Sequence, residues 1–291
     1  MKIVFIIWNT GRSGGTRVIF ELATRLREKG FTVNTVALSG NHDWFRTQIP
    51  VKYVGMPTIV GKLHNAFHIK QINFDAVLLD GISRRLRIGF RPDFVRALAD
   101  NIPETDATIA TWYPTALAAW FGGKGRLCYL MQDFPQLVYE VDGRYGLRMF
   151  DASLRLPFYF IVNSTYTRDL VLERQANAKI RIGCVGIDHS VFHPRNATMI
   201  DAAGKKVAMG IVRGTTFKGD KIMLEALNIA NKKMPMHAIL IGNKKSLNKA
   251  FRMVKPEFDY TQCSNIDDNM LARLYSSSDV FVFTSYVEGF G

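Results

Sequence analysis

Asp279-Val-Phe-Val-Phe-Thr-Ser-Tyr-Val-Glu-Gly-Phe-Gly291 decides how the chain is read. Its apolar run, Val280–Phe283, is short, β-branched or aromatic, and bounded by polar residues, which predicts a buried strand. That strand feeds Thr284-Ser285 and then Glu288-Gly-Phe-Gly291, a carboxylate beside two glycines at the strand's carboxyl end. Ligands of open α/β sheets bind there, because loops and helix N-termini converge on that edge. Glycines let backbone N–H groups approach an anion, and a following helix would add its positive end. The sequence stops in mid-motif, so a fragment of a longer protein is expected.

Upstream, strand-like runs at Ile3–Trp8, Phe31–Leu38, Ala76–Leu79, Thr108–Ala110, Leu127–Met131, Phe158–Val162 and Ile180–Val185 alternate with helical stretches. The clearest helix is Thr16–Lys29, with Val18, Ile19, Leu22, Ala23 and Leu26 on one face and Gly30 ending it. Another is Tyr166–Gln175, with Ser164 and Thr165 as candidate N-caps. After a break around Gly186–Thr198, alternation restarts with strand Val207–Val212, helix Asp220–Lys232, strand His237–Ile241 and helices Lys244–Val254 and Asp267–Ser277. This pattern predicts an α/β chain of two Rossmann-like, doubly wound parallel-sheet domains facing a cleft. The expected limits are 1–190 for the first domain, 191–204 for a linker and 205–291 for the second. Too few strands remain for a complete second domain.

Composition fits packed domains: 291 residues, 47% hydrophobic and 12% aromatic, with a net charge of +13. The first 204 residues hold 25 basic and 17 acidic side chains, the remainder 13 and 8, so both parts are positive. That favours anionic partners. Nucleic acid is the poorer choice, because the basic residues are spread over both parts rather than interleaved with aromatics on one face. Arg84-Arg-Leu-Arg-Ile-Gly-Phe-Arg-Pro92 mixes cations with apolar residues, and Arg84–Arg91 is a candidate for an anionic membrane surface, although a solvated loop is the simpler reading. Cys128, Cys184 and Cys263 lack C-x-x-C spacing and read as reduced, buried thiols of a cytoplasmic protein. No run reaches the roughly 18 apolar residues of a membrane span.

Three constellations can carry chemistry. Asn9-Thr-Gly-Arg-Ser-Gly-Gly-Thr16 places Gly14 and Gly15 at a helix start, where the backbone can approach a phosphate or sugar. It matches neither dinucleotide nor P-loop spacing, and an ordinary βα turn is at least as good a reading. No acid follows the second strand, which argues against a nicotinamide site. Gly210-Ile-Val-Arg-Gly-Thr-Thr-Phe-Lys-Gly219 sets Arg213 and Lys218 at a strand's end; a guanidinium fork and an ammonium suit a diphosphate. Asp133, in Leu130-Met-Gln-Asp-Phe-Pro135, can orient or deprotonate a hydroxyl, though capping the helix at Pro135 is the more ordinary role. The pairs His64/His68 and His189/His193 lack a third ligand, and without an Asp-x-Asp neither a metal nor another cofactor is expected.

In order, these pieces resemble the group 1 (family 4) retaining glycosyltransferases of GT-B architecture. The resemblance rests on Gly14-Gly15, Val162-Asn-Ser-Thr165, Gly186-Ile-Asp-His-Ser-Val-Phe-His-Pro194, Arg213…Lys218-Gly219, Ile239-Leu-Ile-Gly242 and Leu271–Ser278 leading into Asp279-Val-Phe-Val-Phe. Glu288-Gly-Phe-Gly291 resembles the opening of that family's paired-glutamate motif. The resemblance implies metal-independent transfer of a sugar, with retention, from a nucleotide-diphosphate sugar to a hydroxyl acceptor, a saccharide or lipid-linked saccharide. Arg213 and Lys218 would bind the donor diphosphate, and Glu288 the donor sugar. Gly289, Phe290 and Gly291 would present backbone N–H groups, and Gly14 and Gly15 would lie against phosphates or acceptor. Many relatives carry a histidine where this chain reads Gln132-Asp133, a pattern resembling members that build surface polysaccharides. The second glutamate falls beyond Gly291, so the fragment is expected to be inactive. The alternative is a non-catalytic nucleotide-sugar-binding or partner subunit on the same fold. The expected location is the cytoplasm, with a peripheral position at the inner face of the membrane as a further possibility.

Overall fold

The computed structural model describes residues 1–55, 92–196, 199–200 and 202–289. The predicted strand Ala76–Leu79, the basic stretch Arg84–Arg91, the His64/His68 pair, and Phe290 and Gly291 lie outside the described residues. Two compact units divide the chain: Met1–Val185 with Gly289–Gly291, and Gly186–Glu288. The division comes ahead of the expected boundary at 190, and the stretch read as a linker groups with the second unit.

The first unit is a seven-stranded sheet, every pairing parallel. Its strands are β1 (Lys2–Asn9), β2 (Thr32–Ser39), β3 (Val51–Tyr53), β4 (Ala107–Ala110), β5 (Arg126–Met131), β6 (Tyr159–Val162) and β7 (Lys179–Ile182), in the order β3-β2-β1-β4-β5-β6-β7. The central strands are near-continuous apolar runs because both sheet faces are covered: Ile3 to Ile7 of β1 are all buried. The helices are α1 (Gly14–Glu28), α2 (Pro92–Asp100), α3 (Tyr113–Gly122), α4 (Pro135–Leu154) and α5 (Thr165–Leu172).

Ser13 opens α1 by accepting the N–H of Thr16 at 3.1 Å, and Gly30, at φ +88°, follows its C-cap Lys29. The inward face of α1 is set by Ile19, Phe20 and Ala23, with Leu26 beside them. Leu22, assigned inward from the sequence, is exposed, since a helix this close to the sheet buries only a narrow stripe. Ser164 caps α5 through the N–H of Thr167, as its position predicts. The long α4 breaks at Gly143, where φ is +66° and ψ −159°.

The second unit is a four-stranded parallel sheet, β10-β9-β8-β11, from β8 (Lys206–Ile211), β9 (Met236–Ile241), β10 (Asp259–Cys263) and β11 (Val280–Val282). Helices α6 (Asp220–Lys233), α7 (Lys244–Met253) and α8 (Asp268–Ser276) accompany it. Val212, Met223, Leu224, Leu227, Leu240 and Leu247 form the core between sheet and helices.

Two expectations change here. Val280, Phe281 and Phe283 are exposed rather than buried, and among the described residues β11 lies at an edge and pairs with β8 alone. Of the three cysteines only Cys128 is buried, where desolvation raises its thiol pKa; Cys184, just past the edge strand β7, is exposed. Among the described residues no helix is long and apolar enough to cross a membrane.

Candidate active site

In the second unit the strand order reverses between β8 and β11, so the loops leaving those two strands flank the crevice where open α/β sheets take ligands. The β8 loop carries Arg213, Gly214 and the single 3₁₀ turn Thr216–Lys218; the β11 loop carries Phe283 to Glu288. They are stitched together. Tyr286 N–H donates to the carbonyl of Phe217 at 2.8 Å, and Thr284 Oγ1 donates to the carbonyls of Lys218 and Gly219 at 3.2 and 3.0 Å. Gly219 sits at φ +67°, and a Cβ there would come within 2.1 Å of the Thr284 carbonyl oxygen. Only glycine allows both the left-handed turn and this approach.

The stitching brings two side chains together that are 70 residues apart: Lys218 Nζ donates to Glu288 Oε1 at 2.5 Å. Their side chains are only 26% and 17% exposed. The charge-assisted bond is therefore partly desolvated. Lys218 also lies over the Phe217 ring, 5.2 Å from its centroid. Arg213 is exposed and forms no ion pair among the described residues. Burial raises the Tyr275 phenol pKa, and the Arg213 charge opposes that rise.

Asp220, the first residue of α6, turns its buried carboxylate back onto the β8 loop. Oδ2 accepts the Gly214 N–H at 2.6 Å and Oδ1 the Arg213 N–H at 3.3 Å. From the other side Ser246 Oγ donates to the Arg213 carbonyl at 3.0 Å, and Lys249 Nζ to the Gly214 carbonyl at 2.6 Å. Nothing in the sequence alone marks Asp220, Ser246, Lys249 or Thr284 as holding these loops. Asp220 differs only in its place directly after Lys218-Gly219; the other three have no local signature.

In the first unit the order reverses between β1 and β4. Gly14 is the first residue of α1, with open space where a Cβ would stand, and Gly15 faces Gln132, whose Nε2 donates to its carbonyl at 3.3 Å. Asp133 is wholly buried. Its Oδ2 accepts Tyr129 Oη–H at 2.6 Å and the backbone N–H of Tyr113 at 2.9 Å, while Oδ1 finds no hydrogen-bond partner among the described residues. Burial pushes its carboxyl pKa up to about 6, against the lowering effect of those donors and nearby backbone amides.

Asp133 therefore holds the start of α3 rather than capping α4, whose N-cap is Phe134. One of its oxygens, Oδ2, meets the protein's own donors. His189 and His193 meet only where His193 Nδ1 contacts the His189 carbonyl at 3.1 Å, a turn contact.

The architecture has solved counterparts. Sucrose-phosphate synthase from Thermosynechococcus elongatus superposes with a TM-score of 0.69 at 15% identity, over 100% of this chain and 77% of that one. Anabaena HepE, in complex with UDP and glucose, gives 0.69 at 17% identity, over 99% and 75%. The chain has the GT-B fold. WaaG, a glycosyltransferase involved in lipopolysaccharide biosynthesis, shows the same GT-B likeness with a TM-score of 0.62 at 12% identity, over 99% and 76%. No protein-family model and no curated protein sequence matches the chain.

Proposed function

We propose that this GT-B protein is a glycosyltransferase that moves a sugar from a nucleotide-diphosphate sugar to a hydroxyl acceptor. The observation that carries the reading is the Lys218–Glu288 pair, set between the β8 and β11 loops at the reversal of the second sheet and accompanied by Arg213. Two cations suit a diphosphate leaving group, and a carboxylate suits sugar hydroxyls. The UDP and glucose in the complex of HepE, which shares this fold, support the same ligand class.

In the proposed step the bond from the anomeric carbon to the diphosphate oxygen breaks and a bond to the acceptor oxygen forms on the same face. The acceptor proton passes to the leaving phosphate. Arg213 and Lys218 stabilise the charge that develops on the diphosphate, so the reading requires no metal. Glu288 orients the sugar once its lysine turns to phosphate. Gly289, Phe290 and Gly291 are proposed as backbone donors near the sugar, and Gly14 and Gly15 as points of close approach at the start of α1. Asp133 is proposed as a positioning residue of the first unit, because one of its carboxylate oxygens, Oδ2, is committed to Tyr129 and Tyr113. Retention and an acceptor among surface saccharides or lipid-linked saccharides rest on the sequence resemblance.

The test is incubation of the full natural polypeptide with a panel of nucleotide sugars and saccharide acceptors, following nucleoside diphosphate release. Turnover with at least one donor, by transfer or slow hydrolysis, is expected. Tight donor binding with neither transfer nor hydrolysis would instead make the protein a non-catalytic nucleotide-sugar binder.

A further inference from the structure

Asp220 is buried, yet neither of its side-chain hydrogen bonds goes to its own helix. An acidic residue in the first turn is ordinarily explained by the helix dipole. Here both oxygens instead take the two consecutive N–H groups of Arg213 and Gly214. The carbonyls of the same two residues are held by Ser246 and Lys249 of α7. Every polar group of this two-residue backbone segment is thus fixed from a side chain, with acceptors on α6 and donors on α7. Gly214 lies at φ +74°, and a Cβ there would sit 3.1 Å from Ser246 Oγ, so the turn is also sterically set. An exposed arginine on a loose loop would lose much of its electrostatic effect to motion; a clamped backbone limits that motion to the side chain.

We infer that Asp220, with Ser246 and Lys249 opposite it, is a positioning residue that aims Arg213 at the leaving diphosphate. The inference rests on the proposed transferase reading and adds the residues that make Arg213 effective. Asp220→Asn replaces one of the two acceptor oxygens by an NH2 donor, so either the Arg213 or the Gly214 N–H loses its acceptor at nearly constant volume, which loosens the turn without emptying the core.

The experiment is a double-mutant cycle on the full natural polypeptide, combining Asp220→Asn with Arg213→Ala, read by kcat and donor KM and accompanied by amide hydrogen exchange. We expect Asp220→Asn to lower kcat roughly tenfold with donor KM little changed, as for an interaction used in the transition state. It should add nothing further once Arg213 is Ala. Ser246→Ala, the variant of choice if Asp220→Asn does not fold, should lower kcat in the same direction and by less. The Arg213 or the Gly214 amide should exchange faster in Asp220→Asn, while Met209 in β8 stays protected. A full kcat loss from Asp220→Asn in the Arg213→Ala background would overturn the inference, as would unchanged exchange at both Arg213 and Gly214. Absence of any turnover in the unsubstituted protein would sink the transferase reading instead, and exchange at Arg213 and Gly214 would still decide the clamp.

Discussion

Lys218 and Glu288 are bonded at 2.5 Å within the second unit, so the cation proposed for the donor diphosphate already has a carboxylate on it. A diphosphate entering the site must compete with that carboxylate, and its arrival frees Glu288 for the sugar. Glu288→Gln is therefore expected to bind a bare nucleoside diphosphate roughly two- to fivefold more tightly, the worth of one partly exposed ion pair. The same change should lower sugar transfer, because the sugar loses its charged acceptor. Titration calorimetry and initial rates check both halves; weaker nucleotide binding would show that Glu288 assists the diphosphate rather than competing for Lys218.

Gly219 is held at φ +67° against the Thr284 carbonyl. Gly219→Ala combines a left-handed penalty with a direct collision and should destabilise the second unit by at least about 2 kcal/mol. All four tryptophans (Trp8, Trp44, Trp112 and Trp120) lie in the first unit, so fluorescence is blind to this change. Hydrogen exchange at β8 and β9 amides is the appropriate measurement, and unaltered protection there would mean that the β11 loop moves aside without cost.

Asp133 offers a pH test in the first unit. Its folded-state pKa, about 6, lies above the ordinary 3.8, so the folded state binds the proton more tightly than the unfolded chain. Ionisation consequently costs stability above about pH 6, and that cost disappears as pH falls from 6 towards 3.8. A shift of about two units corresponds to about 3 kcal/mol across the window. Urea unfolding followed by tryptophan fluorescence should show the first unit gaining stability as pH falls from about 6 towards 4, with a nearly flat profile above pH 7, and Asp133→Asn should flatten that slope. A slope that survives the substitution would assign the effect to another group.

Much of the fold was legible because covered parallel strands must be apolar throughout: Ile3–Ile7 and the β8 and β9 runs announce themselves. Edge strands do not. Asp259-Tyr-Thr-Gln-Cys263 is half polar and largely open to solvent, and Val51-Lys-Tyr53 is three residues long, so neither reads as a strand. The same logic misled at β11, whose apolar residues belong to an edge. Arg213, Lys218 and Glu288 could be picked out by residue type and place in the strand–loop pattern. The clamp could not, since Ser246 reaches Arg213 across 33 residues of sequence and Asp133 reaches Tyr113 across 20. Those partners exist only once the sheet order brings the loops side by side.

Neutralisation of a sugar nucleotide's diphosphate by Arg213 and Lys218 is tested most directly by transfer rates of Arg213→Ala and Lys218→Ala in the full natural polypeptide. Removing one such stabiliser commonly costs about 2.7–4 kcal/mol. Each substitution should therefore lower kcat by at least roughly tenfold. Turnover unchanged in both variants would contradict the assignment and place the diphosphate elsewhere.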